Sequence, residues 1–220
     1  MIDDVKIELL HDSQISQNDN FINFKVIIVG DSGVGKSSLL KRAVQNKFEG
    51  NYQATIGFEF LLMHFIVNEL KIKLQIWDTC GEEMYRSLIQ GFYRNTSLAL
   101  VVYDINKKIT YDALEPWLID IRKHTEENLP IFIAGNKNDL ERTVPEEEAK
   151  LFANSNRIKY FTECSAKSGH KVKEIFFEAA KYLYKIYKQF QSQNKLPASS
   201  NKLKIGNNND HLTPKKKKCC

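Results

Sequence analysis

A glycine-rich segment near the N-terminus has the composition and spacing of a phosphate-binding loop. It reads GDSGVGKSS and contains the pattern G-x-x-x-x-G-K-[ST]. Glycines let backbone N–H groups surround phosphate oxygens, and the start of the following helix adds partial positive charge. The lysine would reach the β- and γ-phosphates, and the first serine hydroxyl would bind Mg²⁺. The predicted phosphate-binding residues are Asp31, Ser32, Gly33, Val34, Gly35, Lys36, Ser37 and Ser38.

Three more polar clusters follow predicted strands, at the sheet edge where open α/β proteins bind ligands. The segment WDTCGEE places Asp78 directly after an alternating strand, and NKND (residues 136–139) follows the strand PIFIAG. The Asp139 carboxylate can accept from the ring N–H and the exocyclic amine of guanine, which adenine does not present together. SAK (residues 165–167) supplies a second loop for the base. The pattern favours a guanine nucleotide.

Strand and helix patterns alternate along the chain from Phe24 onward. Such alternation predicts a mostly parallel sheet with helices on both faces. We expect the α/β fold of a P-loop NTPase, with six strands and one antiparallel edge strand from the hairpin that turns near residue 68. The predicted strands are 24–29, 58–67, 70–77, 97–104, 130–135 and 158–163, and the predicted helices are 36–44, 111–126, 146–155 and 171–190.

The two ends of the chain differ in composition from its centre. Residues 1–23 are acidic and rich in Asn, Gln and Ser, which predicts a flexible extension with at most a short local helix, whereas 24–190 form one domain. Residues 191–220 are Asn-, Ser- and Lys-rich and predict a disordered tail. Four of the five net positive charges are Lys215–Lys218, so the basic balance belongs to the tail and argues against nucleic acid. No apolar run reaches the roughly 20 residues of a membrane span, so a cytosolic protein is the default expectation.

In order and spacing, these motifs resemble the Ras superfamily of small GTPases over residues 24–190. GDSGVGKSS, the triplet at 55–57, WDTCGEE, NKND and SAK carry the resemblance. Within the superfamily the chain is similar to Rabs, on the evidence of TIGFEF (55–60), the segment around 85–88, FYR (92–94) and the terminal Cys-Cys.

The resemblance implies a role for each matching position. Thr55 would bind Mg²⁺ and sense the γ-phosphate, and Asp78 would hold Mg²⁺ through water. The Gly81 N–H would contact the γ-phosphate, and residues 47–57 and 79–93 would be the switches. The base would contact Phe48, Asn136, Lys137, Asp139, Ser165, Ala166 and Lys167. Phe60, Trp77 and Phe92 match the aromatic positions that Rabs use for effectors; ordinary core packing is the alternative.

Glu82 stands where the family usually has the Gln that orients the attacking water. Ionised Glu keeps an acceptor for the water but loses the amide donor. Its negative charge near the γ-phosphate would raise its pKa and favour action as a general base. We expect a slow GTPase whose catalytic residues are Glu82, Gly81 and Lys36. A GTP-locked scaffold is the alternative, and a P-loop ATPase or small-molecule kinase is a third reading, which NKND disfavours.

The C-terminal KKKKCC is similar to the tails of Rabs that are geranylgeranylated on both cysteines. Two chains on Cys219 and Cys220 would give stable anchoring, and the lysines would be attracted to anionic leaflets. The resemblance implies the cytoplasmic face of an endomembrane with a cytosolic pool. The implied partners are an exchange factor, a TBC-type GTPase-activating protein, effectors, a GDP-dissociation inhibitor and the prenylation machinery.

Overall fold

The computed structural model describes residues 5–50, 57–79 and 91–194. These ranges contain seven strands and five helices that are described in full, together with a short 3₁₀ turn at Asp12–Gln14. The strands are β1 (Ile7–Leu10), β2 (Ile22–Val29), β3 (Phe58–Val67), β4 (Leu70–Thr79), β5 (Leu98–Asp104), β6 (Ile131–Asn136) and β7 (Tyr160–Glu163). The helices are α1 (Lys36–Gln45), α2 (Lys108–Asp112), α3 (Leu114–His124), α4 (Glu146–Ser155) and α5 (Val172–Asn194).

The strands form one sheet in the order β1-β3-β4-β2-β5-β6-β7. Strands β4, β2, β5, β6 and β7 run parallel, whereas β1, β3 and β4 are successively antiparallel. The predicted mostly parallel α/β sheet is confirmed. Because parallel strands share a direction, the segments that follow β2, β4, β6 and β7 all emerge at one edge of the sheet.

Alternating side chains of the central strands pack on both faces of the sheet. In β2, Val26 and Ile28 face the core beneath α1 and α5, and Ile27 and Val29 face the core beneath α2, α3 and α4. Strand β5 is buried along its whole length, as expected for a strand covered on both sides. The helices therefore cover both faces, as predicted.

The predicted count of six strands and the predicted edge strand were wrong. Residues 1–23 were expected to be flexible, but Ile7–Leu10 pairs antiparallel with β3, from Ile7 opposite Val67 to Leu10 opposite His64. Four of the ten residues of β3 thus pair with β1, and β1 is the edge strand. The apolar residues of β1 pack against the core under α5. This run of four residues is too short to stand out from its polar surroundings.

Two helix boundaries also differ from the prediction. The helix expected at 111–126 is divided into α2 and α3, which meet at Ala113. Pro116 has no N–H to donate to the carbonyl of Asp112, and its ring would clash there, so a continuous helix is interrupted. Helix α5 continues to Asn194, four residues past the predicted domain end at 190. The division of the chain into three regions otherwise remains a prediction.

Candidate functional site

The glycine-rich loop connects β2 to α1 in a conformation that specific glycines require. Gly35 precedes the helix with φ +95°, and a Cβ there would lie 2.4 Å from Asn136 Nδ2. A Cβ on Gly30 would lie 2.2 Å from the Val102 carbonyl oxygen. No side chain fits at either position without moving the backbone or a buried amide. The loop therefore packs directly against β5 and β6.

Lys36 is buried at the start of α1, with its ammonium inside the loop. Nζ donates to the carbonyl oxygens of Gly30 at 2.8 Å and Asp31 at 2.9 Å. Ser38 lies in the first turn of the same helix, and Ser32 is exposed in the loop. The predicted phosphate-binding segment thus forms a loop that closes around the buried ammonium of Lys36.

Ser37 and Asp78 form the described part of the predicted metal site. The Ser37 hydroxyl donates to Asp78 Oδ2. Asp78 is fully buried, and its Oδ1 has no hydrogen-bond partner among the described residues. Burial raises the pKa of this carboxyl to about 6, against the Ser37 hydrogen bond and the Lys36 charge, which lower it. A buried carboxylate oxygen with an unused acceptor beside a hydroxyl suits Mg²⁺, which takes oxygen ligands and keeps several waters.

Asn136 and Lys137 join the loop after β6 to the phosphate loop. The buried Asn136 amide donates to the Val34 carbonyl oxygen at 2.8 Å and accepts from the Ala166 N–H at 3.1 Å. Lys137 Nζ donates to the Gly33 carbonyl oxygen at 2.7 Å and lies 2.6 Å from the buried Asp104 carboxylate. The dipeptide Asn136-Lys137 therefore links the phosphate loop to the SAK loop and to the end of β5.

The residues predicted to bind guanine also meet in space. Asp139 Oδ1 accepts from the Ser165 hydroxyl at 2.5 Å, and its other oxygen lies 3.8 Å from Lys167 Nζ. Ser165 is fully buried and also accepts the N–H of Ser168. The NKND and SAK loops are thus held together at the carboxylate predicted to recognise the base.

Arg42 belongs to this region and was missed by the motif reasoning. Its guanidinium donates to the carbonyl oxygens of Ala166 at 2.8 Å and Lys167 at 2.7 Å, and it lies 6.0 Å from the centre of the Phe48 ring. Phe48, the predicted base-stacking residue, is 38% exposed. The only signal for Arg42 in the sequence was a basic residue in the last turn of α1.

The three aromatic side chains predicted to bind effectors form a surface cluster, with a fourth beside them. The ring centres of Phe60 and Trp77 lie 4.9 Å apart, and those of Trp77 and Phe92 lie 5.4 Å apart. Phe58, which was not predicted, contacts both Trp77 and Phe92 and is 54% exposed. Phe60 is 41% exposed. These exposures argue against simple core packing for Phe58 and Phe60, whereas Trp77 is partly buried against the core beneath α2, α3 and α4.

Several predicted site residues lie outside the described ranges. They are Thr55, Gly81, Glu82, Cys219 and Cys220. Among residues 5–50, 57–79 and 91–194, no helix is long and apolar enough to cross a bilayer. The same ranges contain no cluster of three or more His, Cys, Asp or Glu side chains placed to hold a metal. The proposed Mg²⁺ site, with a carboxylate and hydroxyls, is of a different type.

Comparison with known proteins decides the family. The model of the Ras family matches residues 25–185, well over half of the chain. The chain belongs to the Ras family. It is 43% identical over 164 residues to the Ras-related protein rab-11.1 of Caenorhabditis elegans, a match that covers 74% of this chain and 77% of that protein. The resemblance to a Rab-type small GTPase is confirmed, and the protein is a GTPase.

Proposed function

We propose that this Rab-type GTPase is a membrane-tethered switch that binds effectors in its GTP state and serves vesicle transport between endomembranes. One observation carries the proposal: Asn136 joins the phosphate loop to the SAK loop through hydrogen bonds to Val34 and Ala166. The segments predicted to bind the phosphates and the base are thereby held next to each other. The match to the Ras family and the similarity to the Ras-related protein rab-11.1 support the proposal of a Rab-type switch.

In this proposal the phosphates of GTP or GDP lie against the loop from Asp31 to Ser38. The backbone N–H groups and Lys36 neutralise the phosphate charge. Asp139 accepts from the N–H and amine of guanine, and the SAK loop lies beside the base. Phe48 packs against the ring. Competition between guanine and adenine nucleotides tests this base preference: if ATP displaces a labelled GDP as well as GTP does, the site is not guanine-specific.

Ser37, Asp78 and Thr55 would hold Mg²⁺, which neutralises charge on the β- and γ-phosphates when bound. Asp78 Oδ1 is buried and has no hydrogen-bond partner in the part of the chain that the structure describes, which supports its place in this set. In this structure the Ser37 hydroxyl donates to Asp78. With Mg²⁺ bound, the hydroxyl would rotate so that a lone pair of its oxygen faces the cation. Both groups stand at the start of α1 and the end of β4, next to Lys36.

Glu82 determines whether the switch turns itself off. We infer that its carboxylate holds the attacking water as acceptor or base, which gives a working GTPase with an altered intrinsic rate. In the alternative the lost amide donor leaves a GTP-locked scaffold, unless a TBC-type activating protein supplies both an Arg and a Gln. The substitution itself is the observation that favours this second candidate.

Single-turnover hydrolysis of preloaded GTP with Mg²⁺ tests the two candidates, with the native protein beside Glu82→Gln. A native rate near or above that of the Gln variant supports a self-terminating switch. Turnover by the Gln variant alone supports the GTP-locked scaffold.

The aromatic cluster of Phe58, Phe60, Trp77 and Phe92 is the proposed effector surface. The half-exposed rings of Phe58 and Phe60 support this role, since large apolar side chains on a surface commonly mark protein contacts. Changing Phe60, Trp77 and Phe92 to Ala should abolish effector capture and leave nucleotide affinity intact. Equal loss of both would identify the rings as core.

The tail is proposed to anchor the protein through prenyl groups on Cys219 and Cys220, with Lys215–Lys218 adding attraction to anionic lipid. An exchange factor, a GDP-dissociation inhibitor and the prenylation machinery would then control its membrane and cytosolic pools. Deletion of the two cysteines should leave GTP binding intact and release the protein to the cytosol. Continued membrane association would contradict the anchor.

A further inference from the structure

A hydrogen bond links the phosphate loop to a helix that no motif assigns to the nucleotide site. The indole N–H of Trp117, on α3, donates to Asp31 Oδ1 at 2.8 Å. Trp117 is 1% exposed and packs in the core beneath α2, α3 and α4. The orientation of its ring is therefore set by the surrounding core, and the position of the indole N–H is set with it.

The partner of this indole is an acidic residue inside a loop that is proposed to bind phosphates. The indole N–H holds the carboxylate on the α3 side of the loop. Charge-assisted hydrogen bonds of this kind are stronger than neutral ones.

The same residue also contributes to the position of the lysine. The Asp31 carbonyl oxygen accepts from Lys36 Nζ at 2.9 Å. Asp31 is thus held at its side chain by Trp117 and at its backbone by Lys36. If the carboxylate turned, the peptide plane that carries this carbonyl would be free to turn with it.

We propose that Trp117 is a positioning residue for nucleotide retention. It holds the Asp31 side chain so that the Asp31 carbonyl keeps the Lys36 ammonium in the loop. The inference rests on the proposed guanine-nucleotide binding at this loop. It adds α3 to the elements that determine how long the nucleotide stays bound.

The test is the dissociation rate of a fluorescent GDP, with Mg²⁺, from the native protein and three variants. Trp117→Phe keeps most of the ring but loses the N–H, Asp31→Ala loses the acceptor, and a double variant loses both. Each single variant should release GDP roughly tenfold faster, the lower end of the range expected when one hydrogen bond to a charged group is lost. The double variant should be little faster than the faster single variant, because both remove the same interaction.

Tyr111→Phe is the matched control for a general loss of core stability. Tyr111 is buried in the same core, and its hydroxyl donates to the Glu148 carbonyl oxygen at 3.2 Å, far from the loop in the chain. This variant should lower the melting temperature and leave the GDP dissociation rate unchanged. Asp31→Asn keeps an acceptor oxygen and should speed release less than Asp31→Ala.

The proposal is overturned if Trp117→Phe lowers the melting temperature but releases GDP at the native rate. It is equally overturned if the effects of Trp117→Phe and Asp31→Ala multiply in the double variant. A native protein that binds no guanine nucleotide would instead refute the proposed function, so the two failures are distinguishable.

Discussion

A single guanidinium, that of Arg42, connects three parts of the base-binding region. Besides the two carbonyls of the SAK loop, it donates to the Asn46 carbonyl oxygen at 2.9 Å, just past the end of α1. Arg presents several donors in one rigid plane, which Lys cannot do. This residue therefore sets both the end of α1 and the position of the SAK loop, which is proposed to lie beside guanine.

Arg42→Met is expected to weaken GDP binding roughly tenfold, because the SAK loop loses two charged donors while the aliphatic packing is kept. Arg42→Lys is the matched variant. It retains the positive charge but lacks the planar set of donors of a guanidinium, so it should recover only part of the affinity for GDP. Equilibrium titration with labelled GDP measures both. If Arg42→Met binds GDP as the native protein does, Arg42 serves only to end the helix.

At the scale of elements, β1 and the segment after it form an arm along the sheet edge. The arm is held at its two ends. Asn68, in the β3–β4 turn, accepts from the Lys6 N–H at 3.0 Å and donates to the Tyr184 hydroxyl at 2.9 Å. Near the other end, Lys71 lies 2.6 Å from Asp19, and the Phe21 ring contacts His64. Paired and packed in this way, β1 shields part of an otherwise open strand edge.

Asn68→Ala should free the arm, because it removes both side-chain hydrogen bonds and places Ala at φ +53°. We expect the free energy of unfolding to fall by about 2 kcal/mol. Asn68→Gly tolerates the positive φ and isolates the loss of the hydrogen bonds. Hydrogen exchange at Ile7–Leu10, with the melting temperature, measures the effect. Unchanged exchange at β1 in both variants would show that strand pairing alone holds the arm.

The Asp19 contact predicts a defined pH dependence. The Lys71 hydrogen bond, and secondarily the Ser16 N–H, hold the pKa of Asp19 below its usual value. A folded pKa below the unfolded one stabilises the protein above the unfolded value, about 3.9. This stabilisation disappears as the pH falls through the lower folded pKa. Asp19→Asn should therefore have a lower melting temperature than the native protein at pH 7. This difference in melting temperature should disappear below about pH 4. A difference in melting temperature that does not change with pH would contradict the ion pair.

At the scale of the whole molecule, the site is assembled from segments that are distant in the chain and close at one sheet edge. The phosphate loop follows β2, Asp78 lies near the end of β4, and the NKND and SAK segments follow β6 and β7. Ligand that binds only this assembled edge must stabilise the entire fold, since the unfolded chain does not bring the segments together.

GDP at about 1,000 times its dissociation constant should raise the free energy of unfolding by about 4 kcal/mol. Chelation of Mg²⁺ should reverse part of that gain, because the phosphate charge and Asp78 would lose their cation. Asp78→Asn is the control: it should respond to GDP but much less to Mg²⁺. Denaturant unfolding measures each gain, and an Asp78→Asn variant that responds to Mg²⁺ like the native protein would contradict the proposed site.

Local sequence patterns were sufficient to predict the parts of the protein that depend on interactions between residues close together in the chain. Apolar periodicity indicated six of the seven strands, and Glu146–Ser155 was predicted to the residue. Glycine spacing indicated the loop that the structure places between β2 and α1. These features depend on residues within one turn or one strand of each other, so a single stretch of sequence is enough to recognise them.

Only the tertiary structure decided which distant residues serve the same site. Arg42 meets a loop 124 positions away, and the Trp117 indole meets Asp31 across 86 positions. In the sequence each is an ordinary member of an amphipathic helix. The structural role of the four residues of β1, three apolar and one charged, likewise follows only from their pairing with β3. Such contacts depend on how packed elements meet, because chain folding rather than local spacing brings their donors and acceptors within hydrogen-bond distance.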